Sequence, residues 1–191
     1  MALLMRRLTR LCRHYGSQPQ FILSSATIAN PRELSMQLIG ADVKLIDRTR
    51  DGSPSGERTF VLWNPPLLDA EGTRRKSASV EATLLVTQLA KAGLRNICFV
   101  RARRTAELVM QQARNRLRLE GRDDLASRIQ SYRAGYLAAE RRKIEQDLSS
   151  GNLLGVTATS ALELGVDVGC LDATVHVGFP GSIASMWQQV R

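Results

Sequence analysis

Hydroxyl and carboxylate side chains are concentrated in one segment of the chain, Thr157–Gly169. The apolar run Leu153–Val156 comes immediately before it and predicts a short buried strand. That strand would carry Thr157, Thr159 and Ser160 to its carboxyl end. Small hydroxyl side chains at a strand end can approach a phosphate backbone closely and donate hydrogen bonds to it. The segment therefore predicts a contact with a phosphate-bearing ligand.

The same segment also carries two carboxylates with helical spacing. Glu163 and Asp167 stand four residues apart, and Gly165 lies between them. We expect Gly165 to interrupt a helix there and to turn Asp167 toward a ligand. Taken alone, the segment also fits an ordinary strand, turn and helix of an α/β domain, so both interpretations stay open at this point.

Other segments repeat this arrangement of an apolar run followed by small or polar residues. Phe21–Ser24 leads into Ser25, Ala26 and Thr27, and the Asn30-Pro31 turn after them opens a helix. Asn96–Arg101 is another such segment, Tyr132–Tyr136 is a glycine-containing strand end before a helix, and Gly178–Gln189 leads into the last helix. The order of all five is more specific than any one of them.

In this order the segments resemble the motifs of superfamily 2 helicases. Ser25-Ala26-Thr27 resembles motif III, Asn96–Arg101 motif IV, Thr157–Gly169 motif V and Gly178–Gln189 the start of motif VI. The run Ala-Leu-Glu-Leu-Gly at 161–165 is similar to motif V of bacterial and fungal DNA helicases that are related to the RecQ group and carry a C-terminal cysteine-rich domain. The matches extend over about nine tenths of the chain.

The resemblance implies roles for individual residues. It implies nucleotide binding by Gly165, Asp167 and Gln188, nucleic-acid binding by Arg101, Gly135, Thr159 and Ser160, and coupling of hydrolysis to movement by Ser25, Ala26 and Thr27. Asp167 would accept hydrogen bonds from the ribose. Gly135 and Thr159 are equally typical of a turn or a helix cap, and Ala102 stands where many relatives carry a hydroxyl, which weakens the assignment of Arg101. Trp187 fits either base stacking or core packing.

The groups that phosphoryl transfer requires are missing from the sequence. None of the four lysines follows a glycine, so a phosphate-binding loop is absent, and no Asp-Glu dipeptide supplies magnesium ligands. Arg191 stands where the family has the first glycine of its arginine-bearing motif VI. The resemblance therefore implies that ATP and Mg²⁺ are used only by an intact parent protein. We predict a chain with no complete catalytic set, no metal site and no ATPase activity of its own.

Composition agrees with a nucleic-acid partner inside the cell. The formal net charge of +9 favours a polyanion, and the resemblance implies that this partner is single-stranded DNA. Solvated helix faces such as Arg103-Arg104 are the alternative source of this charge. The three cysteines Cys12, Cys98 and Cys170 are too far apart for a zinc site, and we expect buried thiols. No apolar run is long enough for a membrane. From the scattered cysteines and the lack of a signal segment we expect a cytoplasmic, nucleoid-associated protein.

The predicted elements alternate between helix and strand, which is typical of a parallel sheet. We expect an α/β fold: a RecA-like parallel sheet flanked by helices, preceded by an incomplete piece of a first RecA-like domain. The boundaries are 1–50 for that piece, 51–76 for a linker and 77–191 for the second domain, truncated within motif VI. Predicted strands are Phe21–Ser24, Val43–Asp47, Asn96–Val100, Ile129–Tyr132, Leu153–Thr157 and Ala173–Val177; predicted helices are an N-terminal one, Pro31–Ile39, Ser77–Ala92, Thr105–Leu119, Leu137–Leu148 and one from near Ser182.

Three functions remain open from the sequence. In the first, the chain is part of an ATP-dependent DNA helicase and acts together with a first RecA-like domain. In the second, it is a nucleic-acid-binding module without catalysis. In the third, it is a RecA-like scaffold for protein interaction. The motifs favour the first.

Overall fold

The computed structural model describes residues 1–25, 27–47, 49–53, 56–68, 74–133, 135–162 and 171–190, without the side chain of Ala161. Gly165, Asp167 and Ala26, to which the resemblance assigned roles, lie outside these residues. The chain divides into two compact units, Met1–Val61 and Leu62–Arg191.

The first unit contains two helices, α1 (Ala2–His14) and α2 (Pro31–Ile39), at the predicted places. Pro31 occupies the start of α2, where its missing N–H costs nothing, and Gly40 ends the helix with φ 73°. The predicted strands Phe21–Ser24 and Val43–Asp47 are wrong: both stretches are irregular. A strand requires a hydrogen-bonded neighbour, and the described residues of this unit supply none.

The second unit alternates helices and strands. In chain order it contains α3 (Ala78–Lys91), β1 (Asn96–Phe99), α4 (Arg103–Leu119), α5 (Asp123–Ala126), β2 (Ile129–Tyr132), α6 (Ala138–Ser149), β3 (Gly155–Ala158), a 3-10 turn (Ser160–Leu162), β4 (Ala173–His176) and α7 (Ile183–Gln189). The four strands form one parallel sheet in the order β2-β3-β1-β4. The predicted α/β class and parallel sheet are confirmed. The short helix α5 was not predicted.

The sheet is covered on both faces, which explains its nearly continuous apolar strands. Successive side chains of β1 point to opposite faces, so Cys98 joins one hydrophobic cluster while Ile97 and Phe99 join the other. The first cluster includes Leu117 of α4, and the second includes Leu148 of α6. Helices α3, α4 and α5 therefore cover one face, and α6 covers the other.

Two buried polar side chains join the strands to their surroundings. Asn96 is fully buried, and its Nδ2 donates to Leu154 O at 3.0 Å and to Leu94 O at 3.1 Å. Thr157 is also fully buried, and its Oγ1 donates to Ala106 O at 2.8 Å. These bonds satisfy the buried donors of the two side chains, whose burial without a partner would cost about 1–3 kcal/mol each.

Part of the positive charge is used inside the fold. Several arginine side chains donate to main-chain carbonyls, among them Arg95 to Ser149 O at 3.1 Å, Arg114 to Ile129 O at 2.7 Å and Arg128 to Asn152 O at 3.0 Å. These arginines brace loops and strand ends. The net charge is therefore a weaker indication of a polyanion than the count alone suggests.

The cysteines divide by environment. Cys98 is fully buried in β1, and this burial raises the pKa of its thiol to about 12. Cys12 is only partly buried, so the expectation of a buried thiol is wrong for it, and Cys170 lies outside the described residues. Among the residues that the structure describes, no helix has both the length and the apolar character to cross a bilayer.

Candidate nucleic-acid interface

The predicted nucleic-acid-binding residues follow three neighbouring strands of the sheet. Arg101 lies beyond β1, Gly135 beyond β2, and Thr159 and Ser160 beyond β3. All strands run in the same direction, and the last residues of β1 and β2 both pair with Ala158, so the three ends reach the same level. The four residues are therefore brought to one edge of the sheet, where ligands of such sheets bind.

The residues of this edge differ in exposure. Thr159 is half-buried, whereas Arg101, Gly135 and Ser160 are exposed. A Cβ atom at Gly135 would meet no atom within 4 Å, so the space beside this backbone is open. The N–H of Leu162 donates to Thr159 O at 3.4 Å and begins the 3-10 turn. Hydroxyls and open backbone at this edge can donate to phosphate oxygens without reading a base.

A polar cluster supports the end of β2. The guanidinium of Arg133 lies 4.7 Å from the centre of the Tyr136 ring, and its Nη1 is 2.7 Å from Glu107 Oε1. The hydroxyls of Tyr136 and Ser131 lie 3.1 Å apart. These contacts fix the turn that presents Gly135. The sequence indicated the segment but not the partner on α4, because that contact depends on how the helix packs.

Arg101 lies beside a cavity of about 180 Å³ at the ends of β1 and β4. Its Nη2 donates to Phe179 O at 2.8 Å. Ser160 lines the same cavity, as do His176 and Gln189. The structure thus brings two predicted residues together and adds two that the sequence analysis did not place in the site.

The imidazole of His176 connects β4 to α7. Its Nδ1 is 3.0 Å from Gln189 Oε1 and its Nε2 is 3.2 Å from Thr174 Oγ1. With the amide oxygen as acceptor, Nδ1 carries the proton and Nε2 accepts from the threonine hydroxyl. The ring stacks on Phe99 with centroids 5.5 Å apart. Burial lowers the pKa of His176, and the bond to Gln189 opposes this shift in part.

We predict that the folded state loses stability as the pH falls and His176 takes up a proton. A lowered folded-state pKa means that the unfolded chain binds the proton first, so stability is present above about pH 6.5 and falls as pH drops through the lowered pKa. In residues 1–191 with His14→Gln, His176 is the single remaining histidine. Its pKa, measured by NMR titration of the imidazole signal, should lie below that of a free imidazole. A pKa at or above that of a free imidazole would contradict the burial of His176.

The remaining predicted residues are only partly described. Gln188 lies in α7 and is half-buried, as is Trp187, for which stacking and packing both remain open. Ser25 and Thr27 lie in the first unit, Ser25 exposed and Thr27 half-buried. Among the described residues, no three side chains form a group that could hold a metal ion.

Curated relatives match almost the whole chain. The chain is 44% identical over 189 residues to an uncharacterized ATP-dependent helicase, YprA, of Bacillus subtilis, covering 99% of this chain and 25% of the relative. It is 44% identical over 193 residues to the ATP-dependent helicase hrq1 of Schizosaccharomyces pombe, covering 99% of this chain and 18% of the relative. The chain therefore spans a quarter or less of the length of these relatives.

Solved structures agree with the sequence matches. The DUF1998 helicase MrfA bound to DNA and AMPPNP superposes with a TM-score of 0.85 and 45% identity, over 98% of this chain and 25% of that one. The Mycobacterium smegmatis helicase Lhr bound to ssDNA and AMP-PNP gives a TM-score of 0.72 at 29% identity, over 99% and 24%. The prediction of a RecA-like helicase fold is confirmed by these likenesses.

The family assignment rests on the second unit. A family model described as the helicase conserved C-terminal domain matches residues 78–191. This range contains all four strands of the parallel sheet and the edge that collects Arg101, Gly135, Thr159 and Ser160. The chain belongs to the family of helicase C-terminal domains.

Proposed function

We propose that this chain is part of an ATP-dependent DNA helicase, in which residues 77–191 form the second RecA-like domain. The observation that carries the proposal is the edge of the parallel sheet that gathers Arg101, Gly135, Thr159 and Ser160. Support comes from the likeness to the helicase MrfA, whose solved structure holds both DNA and AMPPNP. The activity belongs to the longer protein that contains this chain, called the parent below.

The chemistry of this edge suits contacts that allow single-stranded DNA to move along the protein. The hydroxyls of Thr159 and Ser160 and the open backbone at Gly135 are neutral donors, and phosphate oxygens accept from them whatever the base. Contacts that ignore base identity can be released and made again at the next nucleotide. Translocation needs this property, whereas a sequence-specific binding module would need contacts to base edges.

The nucleotide would be bound by residues of motif V and α7. We propose Gly165, Asp167 and Gln188 for this role, with the carboxylate of Asp167 accepting from the ribose hydroxyls. ATP hydrolysis supplies the free energy for movement along DNA. We propose that hydrolysis is coupled to this movement by Ser25, Ala26 and Thr27. We assign the phosphate cradle and the Mg²⁺ ligands to the rest of the parent, because no lysine of this chain follows a glycine and no Asp-Glu pair occurs.

The finer assignments are also proposals. We place the parent in the RecQ-related branch with a C-terminal cysteine-rich domain and in DNA repair, supported by the identity to hrq1. We propose a cytoplasmic, nucleoid-associated protein, in keeping with the buried thiol of Cys98. Boundaries of 1–50, 51–76 and 77–191 remain our proposal; the division between compact units after Val61 falls inside the proposed linker.

Removing both hydroxyls from the edge tests the DNA contact. The double change Thr159→Val and Ser160→Ala in the parent should weaken binding of single-stranded DNA roughly 10- to 30-fold, since each lost hydrogen bond costs about 1 kcal/mol. The slope of log Kd against log salt should not change, because neutral donors release no counterions. Fluorescence anisotropy with a labelled oligonucleotide measures both quantities.

Ser127→Ala is the matched control. Ser127 precedes β2, at the opposite edge of the sheet, and its Oγ donates to Asp124 O at 2.9 Å. Its loss should leave DNA affinity unchanged. If the double variant and the control bind single-stranded DNA with equal affinity, this edge is not the DNA contact.

A further inference from the structure

Helix α7 is short and is attached at its beginning through the preceding loop. It has seven residues, too few to be stable without tertiary contacts. The loop before it turns at Gly178 and Gly181, both with positive φ. Phe179, between these glycines, accepts from Arg101 Nη2 at 2.8 Å. The guanidinium at the end of β1 therefore holds the loop that leads into α7.

The end of α7 is attached separately. Gln189 is buried, with 7% of its surface exposed, and its Oε1 is 3.0 Å from His176 Nδ1. His176 pairs with Phe99 in the sheet register and also stacks on its ring. Both attachments therefore lead back to the end of β1, one through Arg101 and the other through Phe99 and His176.

We infer that Arg101 and His176 are positioning residues that hold α7 from both ends and so fix the place of Gln188. The inference rests on the proposed function, since Gln188 matters only if the parent binds a nucleotide. Arg101 also lines one cavity with Ser160, so the same side chain links the DNA-binding edge to the helix. The bond to Phe179 O uses one donor of the Arg101 guanidinium and orients the side chain toward the loop before α7.

Hydrogen exchange in the parent tests the attachment directly. Arg101→Met keeps the apolar stem but removes every donor, so amides of Ile183–Gln189 should exchange about tenfold faster, as expected for the loss of a charge-assisted hydrogen bond. Arg103→Met, at the exposed start of α4, is the matched control and should exchange like the wild type. His176→Phe keeps the stacked ring and loses the bond to Gln189, and it should also speed exchange in α7. Unchanged protection in Arg101→Met overturns the inference.

Kinetics and DNA binding separate positioning from phosphate contact. In Arg101→Met we expect a lower kcat for ATP that saturating single-stranded DNA does not restore, because the defect lies in the position of Gln188, and Arg101→Lys should restore part of kcat through one donor. Recovery of the wild-type kcat at saturating DNA would instead assign Arg101 to the DNA contact alone and overturn the inference. If the wild-type parent turns over no ATP, the proposed function fails, whereas the exchange result still decides whether the attachments hold α7.

Discussion

Replacing Leu117 with alanine is expected to lower the free energy of unfolding by about 2–5 kcal/mol. Leu117 is fully buried in α4, within the cluster that joins α3, α4 and α5 to the sheet. Removing its branched end loses apolar burial and leaves a cavity, because the surrounding side chains relax only in part. Since domains are stable by only about 5–15 kcal/mol, this is a large fraction of the total. Urea unfolding followed by circular dichroism measures the loss.

Leu119→Ala on the same helix is the matched control. Leu119 is 89% exposed, so the same atoms are removed without opening a cavity. We expect a change within about 0.5 kcal/mol. Similar losses for the two variants would mean that α4 does not pack on the sheet by the face described here.

Replacing Asn96 with aspartate should have an effect of similar size and a distinct pH dependence. Asn96 Nδ2 faces two carbonyl oxygens, and the side chain is fully buried. A carboxylate would face the same oxygens without donors, at a cost on the order of 3 kcal/mol or more at neutral pH. Burial raises the pKa of the introduced carboxyl, so the loss should be smallest below about pH 4, where both states are protonated, and should grow as pH rises.

Asn115→Asp controls for the change of charge. Asn115 lies on α4 and is exposed, so its replacement introduces the same charge into water. We expect little loss of stability and little pH dependence between pH 4 and 8, measured by urea unfolding at several pH values. A pH-independent loss in Asn96→Asp would contradict the contacts of Asn96 with the two carbonyls.

The second unit was predictable because its elements are determined by local patterns. Strands buried on both faces appear as short apolar runs, and the predicted Asn96–Val100 differs from the observed Asn96–Phe99 by one residue. Helix α3 was predicted as Ser77–Ala92 and is observed as Ala78–Lys91, with the Ser77 hydroxyl accepting from Val80 N. Four-residue α5 is too short for a helical period to show.

The first unit shows where local patterns fail. Phe21–Ser24 is apolar enough for a strand, yet a strand depends on a partner that the local sequence does not contain. The segment therefore has the composition of a strand without its pairing. Helix α2 does not have this dependence, since its hydrogen bonds lie within the helix and its ends are marked by Pro31 and Gly40.

The candidate site divides in the same way. Arg101, Gly135 and Thr159 were assigned from motifs at strand ends, and parallel strands necessarily bring such ends to one edge. The contacts of Arg101 with Phe179 and of His176 with Gln189 join residues 78 and 13 positions apart. They depend on strand register and on the path of the loop before α7, which no local pattern specifies.

ATP turnover with and without single-stranded DNA tests the central claim most directly. The claim is that this chain supplies a DNA-binding RecA-like domain of a helicase, and that the groups that bind the phosphates of ATP lie elsewhere in the parent. We predict that the parent hydrolyses ATP faster when single-stranded DNA is added, and that residues 1–191 alone turn over no ATP with or without DNA. Hydrolysis by residues 1–191 alone, or a parent that does not respond to DNA, would contradict the claim.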